Sequence, residues 1–180
     1  MDDIEIQIWV TAIGTVLSFV SGWLLYLLSD SMKKKNDIST ICKSIISELN
    51  DIKTYLETRK KPLLKITSNP TDPSDENLSF HTHHLGISSF DSMLYSGIFR
   101  DLDTNTQIKL SKIYGEIKLS NASSTRIWEL ITKDQKYSTT HLTNVQNYAN
   151  VLDKKYDEIK DAIPDVISLL NKKINTKPRN

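Results

Sequence analysis

The sequence predicts an all-α protein, in which one N-terminal transmembrane helix is followed by a soluble antiparallel helical bundle. Three observations lead to this prediction. Residues 8–29 form a stretch of 22 positions without a charged side chain. Apolar residues recur at steps of three and four along most of the remaining chain. Five glycines and five prolines in 180 residues favour helices over a turn-rich β-sandwich.

The length and the charge balance limit the class of protein. At 180 residues the chain has room for one ordinary domain and an anchor. The 23 basic and 22 acidic side chains nearly cancel, and lysines alternate with acids along the helices, so we expect no nucleic-acid partner. Cys42 is the single cysteine, which excludes an intramolecular disulfide and fits a reducing compartment.

The uncharged stretch predicts a transmembrane helix over residues 8–28, preceded by a short acidic tail over residues 1–7. At about 1.5 Å per residue this helix reaches roughly 30 Å, the thickness of the hydrocarbon core. Trp9 lies at one end and Trp23 and Tyr26 lie near the other, where aromatic rings prefer the headgroup level. A cleavable secretory signal would have a basic start and a shorter apolar core. The lipid bilayer is therefore the first partner that we expect.

The charges on the two sides of this helix predict its direction. Lys33, Lys34 and Lys35 follow it, whereas the residues before it are acidic, and the basic flank of a span normally stays in the cytoplasm beside the anionic leaflet. We expect a single-pass cell-membrane protein with its N-terminus outside and its C-terminal domain in the cytoplasm. N-glycosylation patterns at Asn77 and Asn121 would matter only for an external domain, and chance alone predicts about two of them.

Three small residues define a packing hypothesis for the span. Gly14, Ser18 and Gly22 recur every four residues, so they lie on one face of the helix, where two helices can approach closely. This row is typical of a dimer seam. The alternative is that glycine and serine are simply frequent in membrane helices.

Residues 29–60 predict a basic juxtamembrane segment and an amphipathic helix. Its apolar positions recur at helical steps: Ile38, Ile41, Cys42, Ile45, Leu49, Ile52 and Leu56. No glycine or proline falls between Trp23 and Lys61, so the membrane helix either continues into this helix or breaks near residues 29–36. Three prolines and a run of polar residues then predict a loop over residues 61–84.

Residues 85–175 predict the helical bundle domain, followed by a disordered tail over residues 176–180. Two long stripes of mostly apolar residues must be buried there against other helices. The first stripe is Leu110, Ile113, Tyr114, Ile117, Asn121, Ser124, Trp128 and Ile131. The second is Leu142, Val145, Ala149, Leu152, Tyr156, Ile159, Ile163, Ile167, Leu170 and Ile174. The second stripe stays in register across Pro164, which predicts one kinked helix.

A short helix precedes these stripes, and sequence signals mark its end and the start of the next helix. The short helix contains Phe90 and the apolar residues beside it, and it ends at Gly97, because glycine accepts the left-handed conformation of a helix C-terminus. Thr104 and Gln107 have capping-box spacing, which predicts that the next helix begins there.

The same region carries a resemblance. Its pattern is FDSxxxSGxFxxL from Phe90 to Leu102, followed by Gln107 and Tyr114. With the helix over residues 41–60, this pattern resembles uncharacterised prokaryotic membrane-anchored helical proteins. The resemblance implies the architecture of a span, a helix, a linker and this motif, and it brings no activity. The motif also has a structural interpretation, in which its aromatic and aliphatic side chains pack the short helix.

Three histidines are the sharpest chemical feature. His81, His83 and His84 are weak candidates for part of a zinc or nickel site, which would need a further ligand such as His141 or Cys42, or Asp75 or Glu76 nearby. The alternative is that they are exposed loop histidines. The chain contains no P-loop, dinucleotide fingerprint, nucleophile elbow or zincin pair, so we expect no enzyme activity, no cofactor and no small-molecule substrate.

These observations lead to one main functional hypothesis and two alternatives. The main one is a protein-interaction or scaffold module that is tethered to the membrane and binds a protein partner or a second copy of itself. The first alternative is a signal-relay element, in which a continuous helix transmits a shift from the membrane. The second is a metal-dependent effector that uses the three-histidine loop.

Overall fold

The computed structural model describes most of the chain. Backbone is described for residues 3–66, 78–81, 83–133 and 139–175, and side chains for 18–66, 78–81, 83–132 and 140–175. Within these ranges lie four α-helices, a 3₁₀ turn and a two-stranded sheet, so the prediction of a mostly helical protein is confirmed. The chain divides into two compact units, Met1–Thr40 and Ile41–Asn180. The predicted tail over residues 176–180 lies outside the described residues.

The first helix, α1, comprises Asp3–Thr58, so most of the predicted acidic tail belongs to a helix. In the first unit the large apolar side chains from Phe19 to Met32 are exposed, with Trp23 and Tyr26 at 57% and 67%, and Ile38 is half-buried. In the part of the chain with described side chains, no helix is apolar over a length that would cross a bilayer. Residues 8–17 of the predicted span lie outside that part, so the span stays a prediction.

From Ile41 onward α1 buries one face in the second unit. Its fully or almost fully buried residues are Cys42, Ile45, Leu49, Ile52 and Leu56. These five belong to the predicted stripe, because steps of three and four keep side chains on one face. The other two members, Ile38 and Ile41, are half-buried. Burial raises the pKa of the Cys42 thiol.

The segment after α1 differs from the predicted loop over residues 61–84. Strands β1 (Leu64–Ile66) and β2 (Leu78–Phe80) pair antiparallel at its two ends. Leu63 and Leu64 have no exposed surface, and their burial requires partners for their backbone groups. The β-ladder supplies some of them, and the Gln146 side-chain amide supplies another by donating to the Leu64 carbonyl at 3.2 Å. The sequence did not predict this sheet, because each strand has only three residues and polar residues surround the two strands.

The short helix α2 comprises Ser88–Tyr95 and is followed by a 3₁₀ turn, Ile98–Asp101. Phe90 and Met93 are buried, whereas Leu94, which has the same helical spacing in the sequence, is 42% exposed. Gly97 has φ of +75°, so the prediction of a left-handed glycine at the end of α2 is confirmed.

Two glycines make a matched test of this turn. Replacing Gly97 with alanine is expected to lower the free energy of unfolding by about 1 kcal/mol, because an L-residue is strained at this positive φ. Replacing Gly115 with alanine is expected to raise it by about 0.5–1 kcal/mol, because Gly115 lies inside a helix with open space around a Cβ. Urea unfolding measures both. The same sign in the two variants would contradict this interpretation.

The third helix, α3, comprises Thr104–Lys133 and begins where the sequence predicts. Its side-chain cap is Asp103 instead of Thr104, since the Asp103 carboxylate accepts from the Thr106 amide at 3.0 Å and from the Thr106 hydroxyl at 2.7 Å. These hydrogen bonds hold the pKa of Asp103 below its usual range. The Gln107 side chain does not close a capping box; it donates to the Leu102 carbonyl at 2.8 Å.

One member of the predicted α3 stripe is wrong. Ile127 is 2% exposed and belongs to the core, whereas Trp128 is 53% exposed and stacks on Phe80 of β2 at 6.4 Å between ring centroids. Adjacent positions share the edge of a helical face, so a step of three or four from Ser124 chooses between them equally well. The contact with Phe80 of β2 holds Trp128 at the edge of this face, and Ile127 takes the core position.

The fourth helix, α4, comprises Thr139–Asn175, so the predicted continuation of the helix through Pro164 is confirmed, and the kink stays a prediction. Its buried face follows the predicted stripe up to Ile163 and then uses Val166 instead of Ile167. α3 and α4 pack against each other. Two ion pairs join the helices, Lys109–Asp165 at 3.2 Å and Glu116–Lys155 at 3.1 Å. The residue number of the α4 partner falls as that of the α3 partner rises, so the two helices are antiparallel.

Candidate functional site

The three predicted histidines face three different neighbours. The backbone amide of His81 extends the sheet region by donating to the Leu63 carbonyl at 2.8 Å. The His83 ring packs 5.3 Å from the Tyr55 ring, and Nε2 of His84 lies 3.4 Å from a threonine hydroxyl on α3. Among the residues that the structure describes, no three His, Cys, Asp or Glu side chains form a group able to hold a metal ion.

Two of the further ligands considered for such a site, Cys42 and His141, have other neighbours. Cys42 is buried in the core of the second unit. Nε2 of His141 lies 3.2 Å from the Leu130 carbonyl, at the other end of α3. Asp75 and Glu76 lie outside the described residues. The structure therefore places none of these residues with the three histidines.

Glu48 of α1 organises the side of the second unit that carries the FDSxxxSGxFxxL motif. Its Oε1 accepts from the Tyr114 hydroxyl at 2.7 Å. Its Oε2 accepts from the Ser88 hydroxyl at 3.0 Å and from the Ser89 backbone amide at 2.9 Å. Burial raises the pKa of Tyr114, and the hydrogen bond to Glu48 raises it further. One carboxylate thus joins α1, the start of α2 and the middle of α3.

The aromatic residues of the motif pack on this network. Phe90 stacks on Tyr114 with 4.3 Å between ring centroids, and Phe99 meets Phe90 edge to face at 6.0 Å. Lys118 of α3 pairs with Asp91 at 2.9 Å. Packing alone therefore explains the motif, because its aromatic side chains fasten α2 to α3.

A surface groove of about 570 Å³ lies beside Glu48. Its walls bring the carboxylates of Glu48 and Asp51 together with the imidazoles of His83 and His84 and the Tyr55 hydroxyl. Burial raises the pKa of Tyr55. Such a groove offers hydrogen-bond donors and acceptors to a polar ligand. Sequence reasoning selected the histidines and placed Tyr114 in the α3 stripe, but it missed Glu48 and its pairing with Tyr114, because a contact between residues 66 positions apart leaves no local signal.

A second polar cluster lies where α1 meets α4. Arg59 has a side chain only 1% exposed and binds the Asp153 carboxylate through Nη1 and the Asp153 carbonyl through Nη2 at 3.2 Å. The other carboxylate oxygen of Asp153 accepts from the Leu63 amide at 3.0 Å. Lys61 donates to Asp157 at 2.7 Å and holds the pKa of that carboxyl below its usual range. This cluster fastens the end of α1 and the start of β1 to α4.

A third feature is a groove of about 440 Å³ between α3 and α4. Its floor contains Ile113, Ile159 and Val166, and charged side chains form its rims. Helical spacing places Leu119 and Val151 one turn beyond Glu116 and Lys155, and they are exposed by 64% and 65%. We call this surface the outer α3/α4 face and define it by Lys109, Glu116 and Leu119 of α3 and Val151, Lys155 and Asp165 of α4.

The residues predicted to act in the membrane are described only in part. Lys33, Lys34 and Lys35 are exposed on α1, as are Trp23 and Tyr26. Ser18 and Gly22 are also exposed, and no atom lies within 4 Å of a Cβ added at Gly22. The side chain of Trp9, as well as Gly14, lies outside the residues described at that level. The seam and the anchoring roles stay predictions.

Comparisons with known proteins complete the description of the site. Protein-family models, curated protein sequences and solved structures gave no match to this chain. The function is therefore argued from the residues of the chain itself.

Proposed function

We propose that this chain is a single-pass membrane protein whose helical domain lies in the cytoplasm and acts as a protein-interaction module. The charge pattern supports the anchor and its direction. Residues 8–29 are uncharged, three lysines follow them, and all 23 basic side chains lie after residue 29 with 19 of the 22 acidic ones. The resulting charge of +4 on that side favours the cytoplasmic face of the membrane.

The proposed interaction role rests mainly on the outer α3/α4 face. Leu119 and Val151 are each more than 60% exposed although both helices already bury a complete apolar stripe elsewhere. Exposed apolar residues that adjoin a groove and are rimmed by charges are typical of protein contact surfaces. The polar clusters around Glu48 and Arg59 have a different role, since they fasten helices to one another.

The continuity of α1 supports a second candidate, the signal-relay element. α1 comprises Asp3–Thr58 without a break at residues 29–36, which is the condition that this role requires. A relay and an interaction module are compatible, because a relayed shift needs a contact surface to act on.

Photo-crosslinking in membranes tests the proposed function. A photoreactive amino acid is placed at Leu119 of the full chain, and membranes from irradiated cells are washed at alkaline pH. We expect the chain to stay in the washed membranes and to form protein adducts, because Leu119 lies on the proposed contact surface.

The matched control places the same photoreactive amino acid at Ser111, which is exposed on the side of α3 away from the α4-facing Lys109, about 80° around the helix from Leu119. This position is expected to give few adducts. Loss of the chain from washed membranes would refute the anchor. Equal adduct yields at Leu119 and Ser111 would refute the contact surface.

A further inference from the structure

We propose that the outer α3/α4 face binds a second copy of this chain, with a two-fold axis that runs parallel to the helices above the groove. The inference rests on the proposed interaction role and names its partner. It starts from three levels along the antiparallel pair of α3 and α4, at each of which a residue of α3 lies opposite a residue of α4. Lys109 faces Asp165 at the first level, and Glu116 faces Lys155 at the second. Leu119 and Val151 lie one turn further, three residues beyond Glu116 and four before Lys155, and form the third level.

The charges at the first two levels are self-complementary under this rotation. A two-fold axis parallel to the helices places α3 of one copy over α4 of the other and keeps each level in register. Lys109 then lies over the partner's Asp165, and Glu116 lies over the partner's Lys155. The charged contacts across the interface at these two levels are attractive, because the two sides of the groove carry opposite charges at each of them.

The third level supplies the apolar contact. The same rotation brings Leu119 over the partner's Val151, so two such contacts form symmetrically. Both side chains are exposed in the single chain, and the dimer would remove them from water. A face on which charges alternate in sign from level to level is poorly suited to a uniformly acidic or basic partner, whereas it matches its own copy.

The size of the face predicts a reversible dimer. Two packed helices present a surface about 20 Å wide, and 20 residues of helix span about 30 Å, which gives roughly 600 Å² per copy. This is the lower end of the range for specific interfaces. Tethering two copies in one membrane raises their effective concentration, so a contact of this size is sufficient there.

A charge-swap experiment tests the two-fold arrangement while keeping the ion pair between α3 and α4 inside each chain. The full chain carrying both Glu116→Lys and Lys155→Glu keeps the pair between positions 116 and 155 with its charges reversed, and it loses the pair of Lys155 with Glu158 on its own helix. In a mixed dimer with the unchanged chain, acid faces acid and base faces base. Differently tagged chains are co-expressed, solubilised in mild detergent and captured by one tag. We expect each chain to capture its own kind and the mixed pair to be reduced about fivefold.

Cysteine crosslinking tests the third level. Leu119→Cys and Val151→Cys are introduced on differently tagged full chains in the same membranes, and a short bismaleimide is added. We expect crosslinks between the two variants, more than within either variant, because Leu119 lies over the partner's Val151. Ser111→Cys is the exposed control and should not crosslink, and the native Cys42 is buried.

The outcomes separate this inference from the proposed function. Mixed capture equal to self capture, or crosslinking at Ser111→Cys equal to that at Leu119→Cys, would overturn the second-copy arrangement. Photo-adducts at Leu119 that contain only a different protein would overturn it too, while they would support the interaction role. The absence of any adduct at Leu119 would overturn both.

Discussion

Replacing Arg59 with alanine is expected to lower the free energy of unfolding by about 3–5 kcal/mol, because it leaves the charge of Asp153 without its buried partner. Arg59 is 1% exposed and Asp153 is 17% exposed, so water replaces little of the lost interaction. The guanidinium also lies 5.2 Å from the centre of the Tyr156 ring, and this packing is lost as well. Urea unfolding of the full chain in mild detergent, followed by circular dichroism, measures the change.

An arginine on the surface of the same unit is the control. Arg126 is 69% exposed and pairs with Glu129 on its own helix at 3.3 Å, so alanine at Arg126 should change the stability by less than about 0.5 kcal/mol. A double-mutant cycle between Arg59→Ala and Asp153→Ala should show coupling, with the double variant losing less than the sum. Simple additivity would show that the two side chains act independently.

Replacing Glu48 with alanine is expected to cost about 2–4 kcal/mol, because it removes the acceptor of three hydrogen bonds. The Tyr114 hydroxyl is fully buried and would keep no acceptor among its present partners. Tyr114→Phe should cost only about 1 kcal/mol, since it removes the buried hydroxyl together with its need for a partner. Combined with Glu48→Ala, it should recover part of the loss.

Glu57 supplies the matched control for Glu48. It lies on the same helix, is 52% exposed and pairs only loosely with Lys53 at 3.7 Å. Glu57→Ala is expected to change the free energy of unfolding by less than about 0.5 kcal/mol. If Glu48→Ala were equally mild, the carboxylate would not be the element that fastens α2 and α3 to α1.

Several local features could be predicted because their physical cause is local. Gly97 ends α2 in the left-handed conformation, which glycine alone adopts without strain. Pro164 lies inside α4 without ending it, as the unbroken apolar spacing on both sides indicates. Asp103 caps α3 where Thr104 was expected, since two neighbouring residues both suit a cap and only backbone geometry chooses between them.

The candidate sites include features that are visible in the sequence and features that only the structure shows. The histidines attract attention in the sequence because they lie within four residues, yet their rings contact the Ser79 hydroxyl, the Tyr55 ring and the Thr125 hydroxyl on three different elements. The outer α3/α4 face becomes visible only after the core is known. Leu119 and Val151 lie outside both predicted stripes, and only the structure shows that each stays more than 60% exposed.

The sequence by itself determined where the helices of the second unit lie and, at most positions, which face of each is buried, because hydrophobic periodicity acts within a few turns. Only the tertiary structure decided which polar groups meet. Glu48 binds Tyr114 across 66 positions, and Arg59 binds Asp153 across 94. Such pairs depend on how the helices pack and how far each is rotated, and the burial that makes them strong exists only once the core has formed.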